Sequence, residues 1–151
     1  MSSYAFDLPS GVQFDAALKE FFEEFYAISD TPDAHERYAQ SFTKDAKVIM
    51  ASKHVRGYDE ILALRQGMWE KVASRKHKPL KVFPYGSSAD EVMLFGTVDY
   101  GLKDGRNASV DWAGRAHLVK VDGKVKMDFY QVYLVCDASS NPIRLRPDVS
   151  V

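Results

Sequence analysis

An aromatic stripe near the start of the chain limits what it can fold into: Phe14, Ala17, Leu18, Phe21, Phe22, Phe25 and Tyr26 recur at spacings of three and four. Residues so spaced share one side of an α-helix, so the stripe predicts a helix with an almost wholly apolar face. That face must be buried against something large and flat. Ser10 with Gln13 three residues later, just after Pro9, places the helix start there, since the two side chains can satisfy each other's backbone donors. Ser29-Asp30-Thr31-Pro32-Asp33 interrupts the pattern, and Thr31 as cap with Pro32 at the first helical position predicts a second helix to about Phe42. Lys47-Val48-Ile49-Met50 reads as a short strand. Gly57 then opens a third helix with Ile61, Leu64, Met68, Trp69 and Val72 on one face, ended by the basic cluster from Lys71 to Lys78.

From Pro79 onward the period becomes extended. Lys81 to Tyr85, Val92 to Leu102, Ala108 to Val121 and Lys124 to Val135 are rich in β-branched and aromatic residues and are separated by turn signals. Of these signals Asp122-Gly123 is the strongest, because Asp-Gly suits the positive φ angles of a tight hairpin. The flat partner of the aromatic stripe is therefore an antiparallel meander, and the fold class is α+β. Ser139-Ser140-Asn141-Pro142 and Pro147 should end regular structure. The expected organisation is one domain over 1–151, with a core at about 10–137 and a C-terminal tail at 138–151.

At 151 residues the chain suits one domain with a proper core. A composition 46% hydrophobic and 27% charged, with net charge -1, excludes a disordered chain and a strongly basic nucleic-acid binder. Cys136 is the sole cysteine, which excludes an internal disulfide or a multi-thiolate metal site and suggests a reducing compartment. Neither a signal peptide nor about 18 consecutive apolar residues occurs, so a soluble, cytoplasmic protein without a membrane partner is expected. Asn107-Ala108-Ser109 fits the glycosylation pattern but has no secretory context to give it meaning. His35, His54, His77 and His117 show no metal-ligand spacing, and there is neither a phosphate-binding glycine loop nor a nucleophile elbow. No metal or cofactor is expected.

The element order, together with Phe42-Thr43-Lys44-Asp45-Ala46-Lys47-Val48, Gly57-Tyr58-Asp59-Glu60-Ile61 and the spacing from His77 to Asp90-Glu91-Val92, resembles the nuclear-transport-factor-two-like superfamily. Within it the similarity is to the SnoaL-like polyketide cyclases and scytalone dehydratase, over roughly Phe14 to Tyr133. The resemblance implies a cone-shaped roll in which three helices close one end of a curved antiparallel sheet around a pocket for a hydrophobic ligand. It also implies cofactor-independent proton transfer, although the fold equally hosts plain binding proteins. On this resemblance His77 matches the dehydratase's pocket histidine, and Asp30 falls near its helix-end aspartate. Met50, Leu102 and Gly114 depart from it, standing where that family has a tyrosine, a second histidine and an asparagine. Those departures argue against scytalone dehydration itself, and Met50 also falls near the aspartate base of ketosteroid isomerase.

An imidazole at His77 can serve as general acid or base, its ordinary pKa lying near 6.5. The plainer alternative is a solvated histidine complementing a helix end beside Lys76 and Lys78. Asp30 could orient it, or could simply be an ordinary turn residue. Alternation along the strand separates Asp111, Arg115 and His117 from Trp112, Gly114, Ala116 and Leu118. With the apolar set inward, the polar set joins Asp99, Thr97 and Tyr130 on an outer face suited to a dimer. A bulge shifting the register by one residue would instead bring Asp111 and His117 into the pocket as an acid/base pair. Tyr26, Met50, Trp69, Tyr100 and Trp112 are the candidate lining, with Phe22 and Phe25 beneath. This aromatic set suits a flat, polyketide-like or polycyclic ligand, or merely fills a core. Met93, Phe95, Val119 and Val121 would leave an apolar outer face wet in a monomer, so a homodimer is expected.

Overall fold

The computed structural model describes residues 2–134; the expected tail, Val135 and Cys136 lie outside the described residues. The elements run α1 (Ala16–Ser29), α2 (His35–Gln40), β1 (Phe42–Met50), β2 (Lys53–Arg56), α3 (Gly57–Gly67), β3 (Val72–Tyr85), β4 (Glu91–Leu102), β5 (Asn107–Val121) and β6 (Lys124–Leu134). No helix among the described residues is long and apolar enough to cross a membrane.

Helix α1 starts later than Ser10 and Gln13 suggest. Gly11 holds a left-handed φ of 77°, which breaks the run. Asp15 caps instead, its Oδ1 accepting the Ala17 N–H at 2.9 Å. Thr31 does not open α2, which begins at His35 after Ala34; its hydroxyl donates to the Ala27 carbonyl at 2.8 Å and so closes α1. Helix α3 stops at Gly67, leaving Trp69 and Val72 beyond it, and the basic segment forms the start of β3. Pairing with β4 over the whole span from Val72 to Tyr85 outweighs the helical spacing of the apolar residues there.

The six strands form one open, curved sheet in the order β2-β1-β6-β5-β4-β3. Strands β3 to β6 make the expected antiparallel meander, and Asp122 and Gly123 both take positive φ in the turn between β5 and β6. The sheet is mixed rather than wholly antiparallel, because β1 lies parallel to β6. At the bulge in β3, Gly96 passes so close that a Cβ there would lie 2.2 Å from the Lys78 carbonyl oxygen.

Phe22, Phe25 and Tyr26 of α1 are fully buried over the inner face of the sheet, where Val98, Trp112, Ala116, Leu118 and Tyr130 meet them. Strand β5 keeps its alternation. Its pairing with β6 does contain a bulge, but the extra residue is Asp128 on β6: His117 pairs with Phe129 and Leu118 with Met127. Because β5 itself gains no residue, Trp112, Gly114, Ala116 and Leu118 stay inside and Asp111 and Arg115 outside.

Candidate functional site

The C-terminus of α1 points at the inner face of β3, and this brings Asp30 onto His77. Asp30 Oδ1 lies 2.6 Å from His77 Nδ1, while Oδ2 accepts the His77 backbone N–H at 2.8 Å. The two side chains are only 5% and 15% exposed. The carboxylate thus fixes both the backbone and the ring. With Asp30 ionised, Nδ1 carries the proton, and the Nε2 lone pair has no partner among the described residues.

Burial pushes the His77 pKa below its ordinary 6.5; Asp30 opposes this, and the Arg75 and Arg65 cations add to it. A neutral imidazole with a free Nε2 is a base at neutral pH. It faces aromatic rings, with the Tyr26 centroid 5.1 Å away and the Trp112 centroid 5.7 Å away. Trp112 is itself fixed by donating Nε1–H to the Thr97 carbonyl at 3.0 Å.

The cavity in front of His77 has a volume of about 70 Å³ and is lined mainly by apolar and aromatic side chains. Tyr26, Met50, Tyr100 and Trp112 line it, together with Ser29, Tyr38, Val98 and Tyr130. The Tyr26 and Tyr130 hydroxyls meet at 3.1 Å, and burial raises both phenols above their ordinary range. They remain neutral donors and acceptors.

Arg65 supports the arrangement from behind. It is fully buried and donates to the carbonyls of Ser29 at 2.7 Å, Thr31 at 2.6 Å and Ile28 at 3.2 Å, which flank Asp30 on both sides. Ile28 and Ser29 end α1 and Thr31 follows it, so the guanidinium supplies donors where the helical ladder runs out. The guanidinium lies 5.0 Å from the Tyr38 ring and 4.9 Å from the Trp69 ring. Burial, then Arg75, lowers the Arg65 pKa to about 10, so it stays charged at neutral pH.

Several expected site residues lie elsewhere. Phe22 is wholly buried beneath Tyr26, rings stacked at 6.4 Å, and does not reach the cavity. Trp69 is held between Arg65 and Arg75 and borders an open cleft with Pro32, His35 and Lys103 instead. Asp111 is exposed on the outer face, opposite Thr97. His117 also lies outside, its Nδ1 2.7 Å from Asp128 and its Nε2 3.7 Å from Asp90, so Asp111 and His117 form no acid/base pair in the cavity. Tyr130, expected outside, is 3% exposed and points inward.

Sequence reasoning missed Arg65, Arg75, Tyr38, Ser29 and the inward position of Tyr130. Arg65 follows Leu64 and stands four residues after Ile61, at the edge of the apolar stripe of α3, and Arg75 is two residues before His77 on the same strand. Those spacings were the available signals.

No protein-family model and no curated protein matches the sequence. Solved structures do match in shape. A protein of Novosphingobium aromaticivorans named for scytalone dehydratase superposes with a TM-score of 0.72 at 17% identity, over 80% of this chain and 83% of its own. The type 2 hexachlorocyclohexane dehydrochlorinase LinA gives 0.66 at 17%, over 82% and 88%. Nuclear transport factor 2 from Cryptosporidium parvum gives 0.66 at 15%, over 87% and 100%. The chain therefore has the SnoaL/nuclear-transport-factor-two-like fold, which carries proteins named as enzymes and one named for transport.

Proposed function

We propose that the chain is a cofactor-independent proton-transfer enzyme, of cyclase, isomerase or dehydratase type, acting on a small hydrophobic polyketide-like or polycyclic substrate. His77 is the acid/base and Asp30 its orienter. The observation that carries this reading is the buried Asp30–His77 pair, which leaves Nε2 free toward an aromatic cavity. Anchoring Nδ1 and the backbone N–H to one carboxylate sets the tautomer and direction of the ring, as a proton-transfer group requires. The neighbours named for dehydratase and dehydrochlorinase support a lyase-like use of the same fold. A carbon acid bound against Trp112 would lose a proton to Nε2, and the imidazolium so formed, stabilised by Asp30, would return it to a leaving oxygen or a second carbon.

The test is turnover or hydrogen exchange in D2O with a panel of small aromatic and polycyclic ketones and alcohols, followed by NMR. Activity should fall about 10²–10⁴-fold in His77→Ala, the contribution of one positioned proton-transfer group. Undiminished turnover in His77→Ala would refute the assignment. The second reading, a binding module, is favoured by the largely apolar and aromatic lining of the cavity. It is the outcome if panel members bind and none turns over.

We also propose a homodimer through the outer sheet face. Phe83, Met93, Phe95 and Tyr133 are exposed there on adjoining strands: Phe83 pairs with Met93, and Phe95 and Tyr133 both pair with Ala113.

A further inference from the structure

Arg75 is the least explained charge among the described residues. It is 7% exposed, yet only its Nη2 has a partner, the Met68 carbonyl at 2.8 Å. Its Nε and Nη1 are buried without a hydrogen-bond partner among the described residues. The guanidinium lies over two rings, 4.8 Å from the Trp69 centroid and 5.3 Å from that of Tyr100. Tyr100 feels the cation, whose charge and close approach offset part of the rise that burial imposes on its phenol. A buried guanidinium with unmade bonds is unfavourable unless something accepts them, so the site is either paired by a bound group or kept at a loss.

Arg75 lines the same cavity as His77, two residues along β3. The charges around that cavity do not balance: Arg65 and Arg75 are buried cations, and Asp30 is the buried carboxylate facing them. A neutral His77 leaves one positive charge uncompensated. Fixed by two cation–π contacts and by the bond to the Met68 carbonyl, the Arg75 guanidinium is already in place to receive an oxygen anion.

We infer that the cavity takes a ligand bearing an oxyanion, a carboxylate or a phenolate, on an otherwise flat apolar body, with Arg75 as the residue that binds the anion. This deepens the proposed function, because it rests on the same cavity and narrows its substrate class; it requires nothing of the chemistry at His77. The unbranched, half-buried side chains of Met50 and Met68 provide the adjustable part of the wall that lets such a body enter.

The test uses the full chain and four probes, benzoate with its neutral isostere benzamide and 4-nitrophenolate with 4-nitroanisole, titrated calorimetrically at a pH where both acids are ionised. At least one anion should bind about tenfold or more tightly than its isostere, as expected of a charge-assisted bond in a desolvated site. The preferred probe distinguishes a carboxylate from a phenolate ligand. Arg75→Met should reduce the preference to within about twofold, Arg75→Lys should keep part of it, and Arg115→Gln on the outer face should leave it whole. If Arg75→Met does not fold, the Lys variant decides through weakened anion binding at unchanged neutral binding. Equal binding of anions and isosteres, or a preference that survives in Arg75→Met, would overturn the inference. Loss of proton transfer in His77→Ala with anion preference intact would support both readings. Full turnover in that variant with the preference intact would sink the catalytic reading alone.

Discussion

The pKa of His77 turns a buried contact into a measurable pH dependence of stability. In the unfolded chain the imidazole titrates near 6.5, while in the fold burial and the two arginines hold it lower. Between those two values the unfolded state binds a proton that the folded state refuses, so stability is complete above about pH 6.5 and is lost as pH falls toward the folded pKa. The slope for one proton is at most about 1.4 kcal/mol per pH unit. His77→Gln removes the titrating ring while keeping a polar side chain. The assay is urea unfolding of both proteins at intervals between pH 8 and 5, taking the difference at each pH so that the other histidines and the carboxylates cancel. The wild type should lose ground relative to the variant across the window below pH 6.5, then run parallel to it. A difference that is flat, or that moves in the wild type's favour as pH falls, would mean that Asp30 outweighs burial, and the argument for a neutral base would fail. The same sign governs catalysis: activity should persist below pH 6.5 and fall only as His77 takes up its proton.

Tyr130→Phe should destabilise the fold by about 1–3 kcal/mol, because it leaves the Tyr26 hydroxyl buried without its partner; the double variant Tyr26→Phe/Tyr130→Phe should cost less than the sum in denaturant melts. Light scattering should give a dimer for the wild type and a smaller species for Phe95→Lys, whose charge would sit in the proposed apolar interface; a wild-type monomer at all accessible concentrations would end that proposal.

Much of the fold was legible because the strongest sequence signals were periodic ones. The α1 stripe, the β3–β6 meander and the Asp-Gly turn each follow from local spacing and turn chemistry. What escaped was decided by distant partners. The helical spacing of apolar residues runs on to Val72, yet β4 recruits the chain from Val72 onward into a strand, and that is what aims His77 inward. The parallel pairing of β1 with β6 leaves no mark in either strand alone. The question of whether Asp111 faced in or out turned on which strand carries the bulge, and Asp128 had no distinguishing feature in the sequence. Asp30 and His77 were named through resemblance, while their contact depends on the direction of α1. Arg65 and Arg75 were passed over because charged residues are ordinarily solvated, and their burial becomes visible only once the aromatic rings enclosing them are placed.

The position of β6 inside the sheet, between β1 and β5, bears on how the molecule comes to be folded. The last described strand joins the two parts of the sheet, so β1 and β2 have no sheet neighbour from the meander until it arrives. The Tyr26–Tyr130 bond spans 104 positions, and the parallel ladder between β1 and β6 is equally non-local. Contacts of such long range form slowly, since chain closure must precede any gain from them. During synthesis the aromatic face of α1 is therefore made early and covered late, leaving an interval in which a chaperone or another nascent chain competes with β6 for the same surface.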